Sequence, residues 1–534
     1  MIAVSKGWVD AHKETLLPEV FVEITYTATD PGLREDAVTT GQNEAYFSDP
    51  STLTQAIDRN TEKIATLEPS LWGLDGSFSF IHGNPRDPGF VSDVISNDDC
   101  SFSTIPVITI SFPTIRSEII PGLTITWSTT YREWATSYRV TAYLGSTQVA
   151  QGMVVENTEP QSTVWLPMEG YNKITIEILS WSRPKHRVRC EEVFLGVETV
   201  YHKSDLMGYE HSQVADLLSA SLPKNEITFR LRNEDKRWNP DNPTGNERFL
   251  LERQEIRVRY GMDIGGNIEW IKGGTFWLSE WSTPANGLEA SFTARDLIEF
   301  MGEMYSGSRT GTLYEIAVEA FTQADLPTQD NGENRWLVTE ELQNYSTELN
   351  AEDEYTVAEV LQMVANAAGC VFYQDRDGVV RIERWGTSYS GYIIDQNVSY
   401  SHPEYTFDKP MKAISVGYGE DQRAVIDVAD KGAVQTIDNT MLRTQADALR
   451  VGERALEVLK SRKTISGEYR ADLRLDALDP IIVTSKYATN IVAITELRYS
   501  TTGGAFRGSY TGRVMSVALQ SDPYYSNEIY VGEV

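Results

Sequence analysis

An alternation of apolar and polar side chains with a period of two runs through residues 254–301 and constrains the fold more than any other feature. In its first run, Ile256, Val258 and Tyr260 alternate with two arginines. A glycine pair at 265–266 follows and supplies a turn that tolerates positive φ. A period of two places successive side chains on opposite faces of a strand, which no helix does. The stretch therefore predicts a β-meander with one buried face.

The remainder of this stretch predicts three more elements. Two further strand runs contain Trp270 and Phe276, with a glycine pair at 273–274 as a break between them. A last strand, residues 290–294, ends before Asp296, which can cap a short helix, LIEFM. No residue in the stretch is an obvious catalyst. We interpret it as the scaffold of a small β-barrel.

The chain carries a large negative charge. It has 47 Lys and Arg against 77 Asp and Glu, a net charge of −30. Nucleic acid and anionic membranes are therefore poor partners. Two interpretations stay open: the charge serves solubility, or an acidic surface lets DNA pass without sticking. No run approaches the length of a membrane span, and residues 1–20 lack the apolar core of a signal peptide, so synthesis in a cytoplasm is expected.

The cysteines are few and irregularly spaced. Cys100, Cys190 and Cys370 form no paired motif, which argues against a disulfide framework and against a zinc site. Cys100 and Cys190 could meet across one sandwich, but buried free thiols are the simpler expectation.

The predicted fold class is mainly β with α+β parts: two small β-barrels, an α+β module between them, and an inserted jelly roll or β-sandwich. Residues 75–198 hold about eight short strands without a helical period, which is typical of a sandwich that resembles carbohydrate-binding modules. The first barrel is discontinuous, 1–74 plus 199–305. Residues 31–60 are predicted to be loop-like.

Two strands lack a nearby partner, and this observation suggests the insertion. The strand at 17–29 and the strand at 225–235 are predicted to pair, with the sandwich inserted in a loop of the barrel. The stretch 254–301 is also expected to have a partner strand near residues 20–26, across this insertion. Long insertions in loops are tolerated because the entropy of loop closure grows slowly with length.

The second half of the chain changes pattern. Residues 306–395 form an α+β module, whose second helix has Thr356 as N-cap and Gly369 as C-cap, followed by a hairpin with its turn at 375–378. Residues 396–534 are predicted to form the second barrel, with one helix.

No compact catalytic motif is present. The six histidines lie outside any metal-binding pattern, and no nucleophile elbow, Walker loop or dinucleotide loop occurs, so no cofactor is expected. A pair of glycosidase-type carboxylates can be neither excluded nor singled out. Asp353, Asp375 and Asp377 could bind a hard cation, but an ordinary turn is the simpler interpretation, and we expect no metal.

Three aromatic residues are the candidate binding site. Trp127, Tyr131 and Trp134 lie around the loop after the strand LTITWS. Sugar rings stack on exposed aromatic faces, so these residues could form a glycan platform. The alternative is that Trp127 and Trp134 pack in the sandwich core.

The order of these segments resembles a known family. Barrel strands are followed by GTFWLSEW and LEASFTARDLIEFM, by the helix TVAEVLQMVANAAG with the hairpin CVFYQDRDGVVRIER, and by a second barrel. This order is similar to that of the tail hub (baseplate hub, tail-associated) proteins of tailed phages. The pieces ATLEPSLWGLDGSF and DPGFVSDVIS look like the start of a sandwich in tail proteins of phages that infect Firmicutes or gut bacteria.

The resemblance implies a homotrimer in the virion tail tip or baseplate. Two barrels per chain would form a pseudo-sixfold ring that adapts a sixfold tail tube to a threefold spike or fibre. Its neighbours would be the tail tube, distal tail and tip or fibre proteins. DNA would pass through without specific binding, and the chain would not be an enzyme. Many such hubs carry a C-terminal peptidoglycan-degrading domain or a long fibre, and the sequence up to Val534 shows neither.

Two other functions remain alternatives. One is a virion-borne or secreted enzyme that degrades polysaccharide or peptidoglycan, with the sandwich as its binding module. The other is a cell-surface adhesin, which the absence of a signal peptide disfavours.

Overall fold

The computed structural model describes residues 1–14, 19–30, 32–55, 63, 65–71, 73, 75–76, 78, 87–283, 287–329, 333–349, 353–386, 392–485, 488–502, 505–519 and 530–531. The piece ATLEPSLWGLDGSF and the loop expected at 31–60 lie partly outside these residues. The described residues are mainly β, with smaller α+β parts, as the sequence predicted. None of the three cysteines in these residues forms a disulfide.

The helices begin at polar caps. The α-helices are α1 (Lys6–Lys13), α2 (Leu313–Ala324), α3 (Val357–Ala368) and α4 (Gln445–Leu459), and short 3₁₀ helices span Pro50–Thr52, Glu247–Phe249, Leu297–Phe300 and Glu340–Asn344. The predicted caps of α3 are confirmed: Thr356 and Glu359 form a capping box, and Gly369 follows the helix with φ of 69°.

The strands up to residue 295 are β1 (Val20–Thr29), β2 (Val38–Gln42), β3 (Ser48–Asp49), β4 (Asp87–Pro88), β5 (Phe90–Ile95), β6 (Val107–Arg116), β7 (Ile120–Trp127), β8 (Ala135–Leu144), β9 (Thr147–Val154), β10 (Gln161–Met168), β11 (Tyr171–Trp181), β12 (Arg187–Phe194), β13 (Gly196–Tyr201), β14 (Leu206–Val214), β15 (Lys224–Arg232), β16 (Glu255–Ile264), β17 (Asn267–Ser282) and β18 (Glu289–Arg295).

The later strands are β19 (Thr310–Thr312), β20 (Trp336–Val338), β21 (Ser346–Glu348), β22 (Val371–Gln374), β23 (Val380–Glu383), β24 (Ile393–Ile394), β25 (Glu404–Phe407), β26 (Met411–Tyr418), β27 (Gln422–Asp427), β28 (Ala433–Ile437), β29 (Lys463–Arg470), β30 (Pro480–Thr484), β31 (Ala488–Thr502), β32 (Ala505–Leu519) and β33 (Tyr530–Val531).

One large sheet organises the chain. Its main path is β13-β1-β16-β17-β18-β15-β14-β31-β32-β29-β25. Strand β14 pairs with β31, so the two barrel-like halves are joined edge to edge in a single sheet. Side chains from both halves share one hydrophobic core, which also contains Trp8 of α1.

The sheet curls so that distant strands face each other across its interior. Trp238 packs between Tyr26 of β1 and Phe292 of β18, with ring centroids 6.4 Å and 5.0 Å away. The hydroxyls of Tyr209 on β14 and Tyr260 on β16 lie 2.7 Å apart, although three strands separate β14 from β16 along the sheet.

The predicted pairing of the strands at 17–29 and 225–235 is wrong. Strand β1 pairs with β13 on one side and β16 on the other, whereas β15 pairs with β14 and β18. Both strands find partners close to them in the fold. The chain leaves the inserted region through β13, which pairs with β1, and β15 pairs with β14, the strand before it in the chain. The pairing of β1 with β16 confirms the expected partner of the stretch 254–301 near residues 20–26.

The stretch 254–301 folds as a meander with two differences from expectation. Strand β17 runs without interruption for 16 residues, and the glycine pair at 273–274 lies at a bulge instead of a break. A Cβ on Gly273 would lie 2.8 Å from Val258 Cγ1, so the close approach of β16 requires glycine there. The expected helix LIEFM is one 3₁₀ turn, and Asp296 makes no side-chain cap.

The sandwich consists of a four-stranded sheet, β10-β7-β12-β5, and a five-stranded sheet, β2-β6-β11-β8-β9, around a core of their own. Strand β2 lies before the expected start of the sandwich at residue 75, within the segment predicted to be a loop. Its polar edge-strand sequence, VTTGQ, hides the strand signal. Thr29 of β1 pairs with Gly196 of β13, so the ends of the inserted region, 30–195, are adjacent.

The middle module is larger than the range 306–395. Helices α2 and α3 pack in one core with α4 and with Ile414 and Val416 of β26. Strand β26 pairs with β27 and β28 in a separate three-stranded sheet. The segment 411–459, predicted to belong to the second barrel, therefore packs with the α+β module.

Candidate functional site

The predicted aromatic site begins with Trp127, which is completely buried. Its ring packs against Tyr138 and Trp181, at centroid distances of 5.2 Å and 5.9 Å. Its Nε1 donates a hydrogen bond of 3.2 Å to the Ser162 hydroxyl. The sequence contains the signal for this burial, because Leu123, Ile125 and Trp127 share one face of β7. Trp127 has no free ring face to offer a sugar.

The other two predicted residues are held by side chains around them. Trp134 is half-buried, and its Nε1 donates a hydrogen bond of 3.0 Å to the Asn157 carbonyl. Tyr131 is also half-buried, with the Arg189 guanidinium 4.6 Å from its ring centroid and Phe78 at 6.4 Å. The structure thus brings the three residues to one end of the sandwich without aligning them as one open platform.

Buried charge fixes this end of the sandwich. Glu68 accepts two hydrogen bonds from the Arg189 guanidinium, at 2.9 Å and 2.6 Å, and one of 2.7 Å from the Arg187 backbone. Burial opposes ionisation, but the bonds and charge of Arg189 hold the pKa of Glu68 below its usual range. Next to it, His186 Nδ1 lies 2.7 Å from a Glu133 carboxylate oxygen.

The three aspartates considered for a cation are held by other residues of the chain, and Asp377 pairs with Lys272 of β17. Asp375 accepts hydrogen bonds from the backbone of Asp377 and Val379 and pairs with Arg381 at 2.6 Å. Asp353 accepts a hydrogen bond of 2.8 Å from the Tyr355 hydroxyl. The part of the chain that the structure describes contains no group of three His, Cys, Asp or Glu able to hold a metal ion.

A cavity of about 330 Å³ lies where the large sheet meets the α+β module. Beside it, the Arg376 guanidinium pairs with Asp476 at 2.8 Å and donates a hydrogen bond of 2.8 Å to the Leu475 carbonyl. Burial lowers the pKa of His211, which lies behind this pair, to about 4, so its ring is neutral. Burial raises the pKa of Asp296, on the cavity wall, to about 7.

A larger cleft, of about 640 Å³, separates the sandwich from the large sheet and the α+β module. Sequence reasoning did not find it, because its walls come from segments far apart in the chain. The sandwich contributes the outer face of its four-stranded sheet, the large sheet contributes β1, β13 and β16, and the third wall follows α2. Its lining residues include Thr27, Thr124, Gln161, Glu192 and Arg257.

Several charged side chains of this cleft form ion pairs with one another. Arg257 pairs with Glu198 and, at 3.3 Å, with Glu255, and Arg335 pairs with Glu255 at 2.8 Å. Burial, followed by the charge of Asp325, raises the pKa of Glu35 on the cleft wall. Carboxylates outnumber arginines among the lining residues, so the cleft offers hydrogen-bonding groups and no excess of positive charge.

The chain was compared with known proteins. No family model and no curated protein matches it. Among solved structures, it is similar to a 43 kDa tail protein of prophage MuSo2 from Shewanella oneidensis, with 12% identity, a TM-score of 0.40, and coverage of 59% of this chain and 95% of that chain. It is also similar to a tail protein from Neisseria meningitidis, with 12% identity, a TM-score of 0.41 and coverage of 60% and 93%.

A prophage tail protein from Listeria monocytogenes has 11% identity, a TM-score of 0.39 and coverage of 59% and 91%. All three are tail proteins. Within the described residues, no helix has the length and apolar character needed to cross a membrane.

Proposed function

We propose that this chain is a structural component of a phage tail tip or baseplate, and that three copies form a hub ring. The observation that carries the proposal is the pairing of β14 with β31, which makes one sheet of two barrel-like halves. A chain with two such halves in a fixed relation offers two quasi-equivalent surfaces. Three copies then present six surfaces, which reconciles a sixfold tube with a threefold tip.

The mutual orientation of the two halves is stabilised at the seam by side chains from three segments. Gln213 of β14 donates a hydrogen bond of 3.0 Å to Asp476, which also pairs with Arg376. The Ala477 backbone donates a hydrogen bond of 2.6 Å back to the Gln213 side chain. A buried polar network of this kind favours one relative position of the parts it joins.

The test of the ring is the mass of the purified chain in solution. We expect a trimer, measured by light scattering or native mass spectrometry over a range of concentrations. A monomer that persists at high concentration would contradict the proposed ring.

In the proposed ring, DNA passes through the lumen and is not bound specifically. The net charge of −30 supports this part, because an acidic surface repels the phosphate backbone. We expect no retardation of duplex DNA at low salt, where electrostatic binding is strongest. A neutral or basic lumen in a potential map of the assembled ring would count against it.

The sandwich is proposed to contact host glycans from the tail tip, and the chain is proposed not to be an enzyme. A polysaccharide- or peptidoglycan-degrading enzyme is the alternative. A zymogram on host cell walls separates the two proposals, since robust lysis by the purified chain would favour the enzyme.

A further inference from the structure

Trp165, in the middle of β10, was not among the binding residues that the sequence predicted. It is 59% exposed and is the only exposed tryptophan among the residues that the structure describes. Its cross-strand partner is Gly122, which leaves the neighbouring position on this face without a side chain. Glycine is required there, because a Cβ on Gly122 would lie 1.8 Å from the Val164 carbonyl oxygen. The indole of Trp165 therefore presents an aromatic surface to solvent.

The same face of the sheet leads from Trp165 into the larger cleft. Side chains alternate along a strand, so Gln161, Thr163 and Trp165 lie on one face, spanning about 13 Å. Thr163 and Gln161 are both exposed, and Gln161 lines the cleft. Thr163 lies opposite Thr124 of β7, with their hydroxyl oxygens 3.3 Å apart. A strip of amide and hydroxyl groups thus joins the indole to the cleft.

The facing wall of the cleft contains a buried hydroxyl without a partner. Thr27, on β1, is 5% exposed, and its Oγ1 makes no hydrogen bond to any described residue. An unsatisfied buried polar group costs free energy, so such groups are uncommon in native folds. Thr27 is one of the residues that line the cleft, so this wall contains a polar group whose hydrogen bonding is incomplete.

We propose that this cleft binds a neutral oligosaccharide of hexose units, with Trp165 stacking on a sugar ring at the rim. The inference rests on the glycan contact proposed above and gives it a site different from Tyr131 and Trp134. A volume of about 640 Å³ lies in the range of ligand sites, about 300–1,000 Å³. Amide, hydroxyl and carboxylate groups match sugar hydroxyls, which both donate and accept hydrogen bonds.

The charge of the cleft argues for a neutral ligand. The Arg257 and Arg335 guanidiniums pair with Glu198 and Glu255, and carboxylates outnumber arginines in the lining. The cleft therefore disfavours an anionic sugar or a phosphate. Glu192 adds an acceptor on the sandwich side.

The test is calorimetric titration of the full chain with linear gluco-, galacto- and manno-oligosaccharides of four to six units. We expect at least one to bind the unmodified protein. Trp165→Ala should weaken that binding about tenfold or more, because stacking and apolar burial are lost, and Trp165→Phe should restore part of it. Gln161→Ala should weaken it as well.

Met153→Ala is the matched control, because Met153 is 55% exposed on the other sheet of the sandwich and should leave binding unchanged. If binding is lost in Tyr131→Ala but kept in Trp165→Ala and Gln161→Ala, the cleft is not the binding site. The proposed contact of the sandwich with glycans would then still hold. No binding by any oligosaccharide would overturn both. The solution mass of the same samples reports separately on the hub ring.

Discussion

At the scale of single residues, the structure distinguishes buried side chains that stabilise the fold from exposed side chains that can contact a ligand. The predicted Trp127 belongs to the first kind, because it is inside the sandwich, whereas Trp165 belongs to the second. Arg376 also belongs to the first kind. Its side chain is buried, and its guanidinium joins the hairpin of the α+β module to Asp476, in the loop between β29 and β30.

Replacing Arg376 should loosen the seam between the halves of the large sheet. Arg376→Met removes the ion pair of Asp476 and the hydrogen bond to the Leu475 carbonyl, and leaves Asp476 with the hydrogen bond from Gln213. We expect a loss of about 3 kcal/mol in the free energy of unfolding. The control is Arg498→Met, which breaks an exposed cross-strand pair with Glu210 and should cost less than about 1 kcal/mol. Urea unfolding measures both, and equal losses would contradict the role of Arg376.

Asp296 predicts a pH dependence of stability. Its pKa is raised by burial from 3.8 to about 7, so the folded state holds the proton to a higher pH than the unfolded chain does. Its contribution to stability is therefore full below about pH 4, declines between pH 4 and 7, and stays low above pH 7. Asp296→Asn removes this decline.

We expect the asparagine variant to match the unmodified protein near pH 4 and to exceed it at pH 8 by on the order of 2–4 kcal/mol. Urea unfolding at a series of pH values gives the difference directly. A difference that does not change with pH would show that the carboxyl ionises freely in the folded state.

At the scale of elements, close backbone approach in the sandwich is the sharpest constraint. Gly122→Ala would place a methyl group against the Val164 carbonyl oxygen of the paired strand, and we expect a loss of about 3 kcal/mol or more. Gly302→Ala is the control, because a methyl group added there would meet no atom within 4 Å, and the change should stay within about 0.5 kcal/mol. Tryptophan fluorescence during urea unfolding reports both.

Short sequence patterns predicted individual helices and strands well, but they did not predict which distant strands pair with each other. The capping box at Thr356 and the period of two at 256–260 are encoded within a few residues, so α3 and β16 could be predicted. The partner of β1 depends on where a distant strand returns, which no local pattern specifies. The cleft could not be predicted from the sequence for the same reason. Its walls become neighbours only when the sandwich packs beside the large sheet.

At the scale of the whole molecule, the chain enters and leaves the sandwich at one place in the large sheet, between β1 and β13. Strands β1 and β13 are antiparallel neighbours, with Thr29 paired to Gly196. The sandwich has its own hydrophobic core, separate from that of the large sheet. The two ends of the inserted region are therefore close enough to be joined by a tight turn, and the insertion itself holds what a domain needs to fold.

This geometry predicts that the inserted region can be removed. Replacing residues 30–195 by Asn-Gly converts β1 and β13 into a hairpin, because that dipeptide favours the tight turn that antiparallel strands need. We expect the shortened chain to keep its β-sheet circular dichroism and the oligomeric mass of the full chain. Oligosaccharide binding should disappear, because one wall of the cleft is gone. An unfolded product would show that contacts of the sandwich with the large sheet, such as the hydrogen bond from Thr124 to Gly196, are needed to complete the fold.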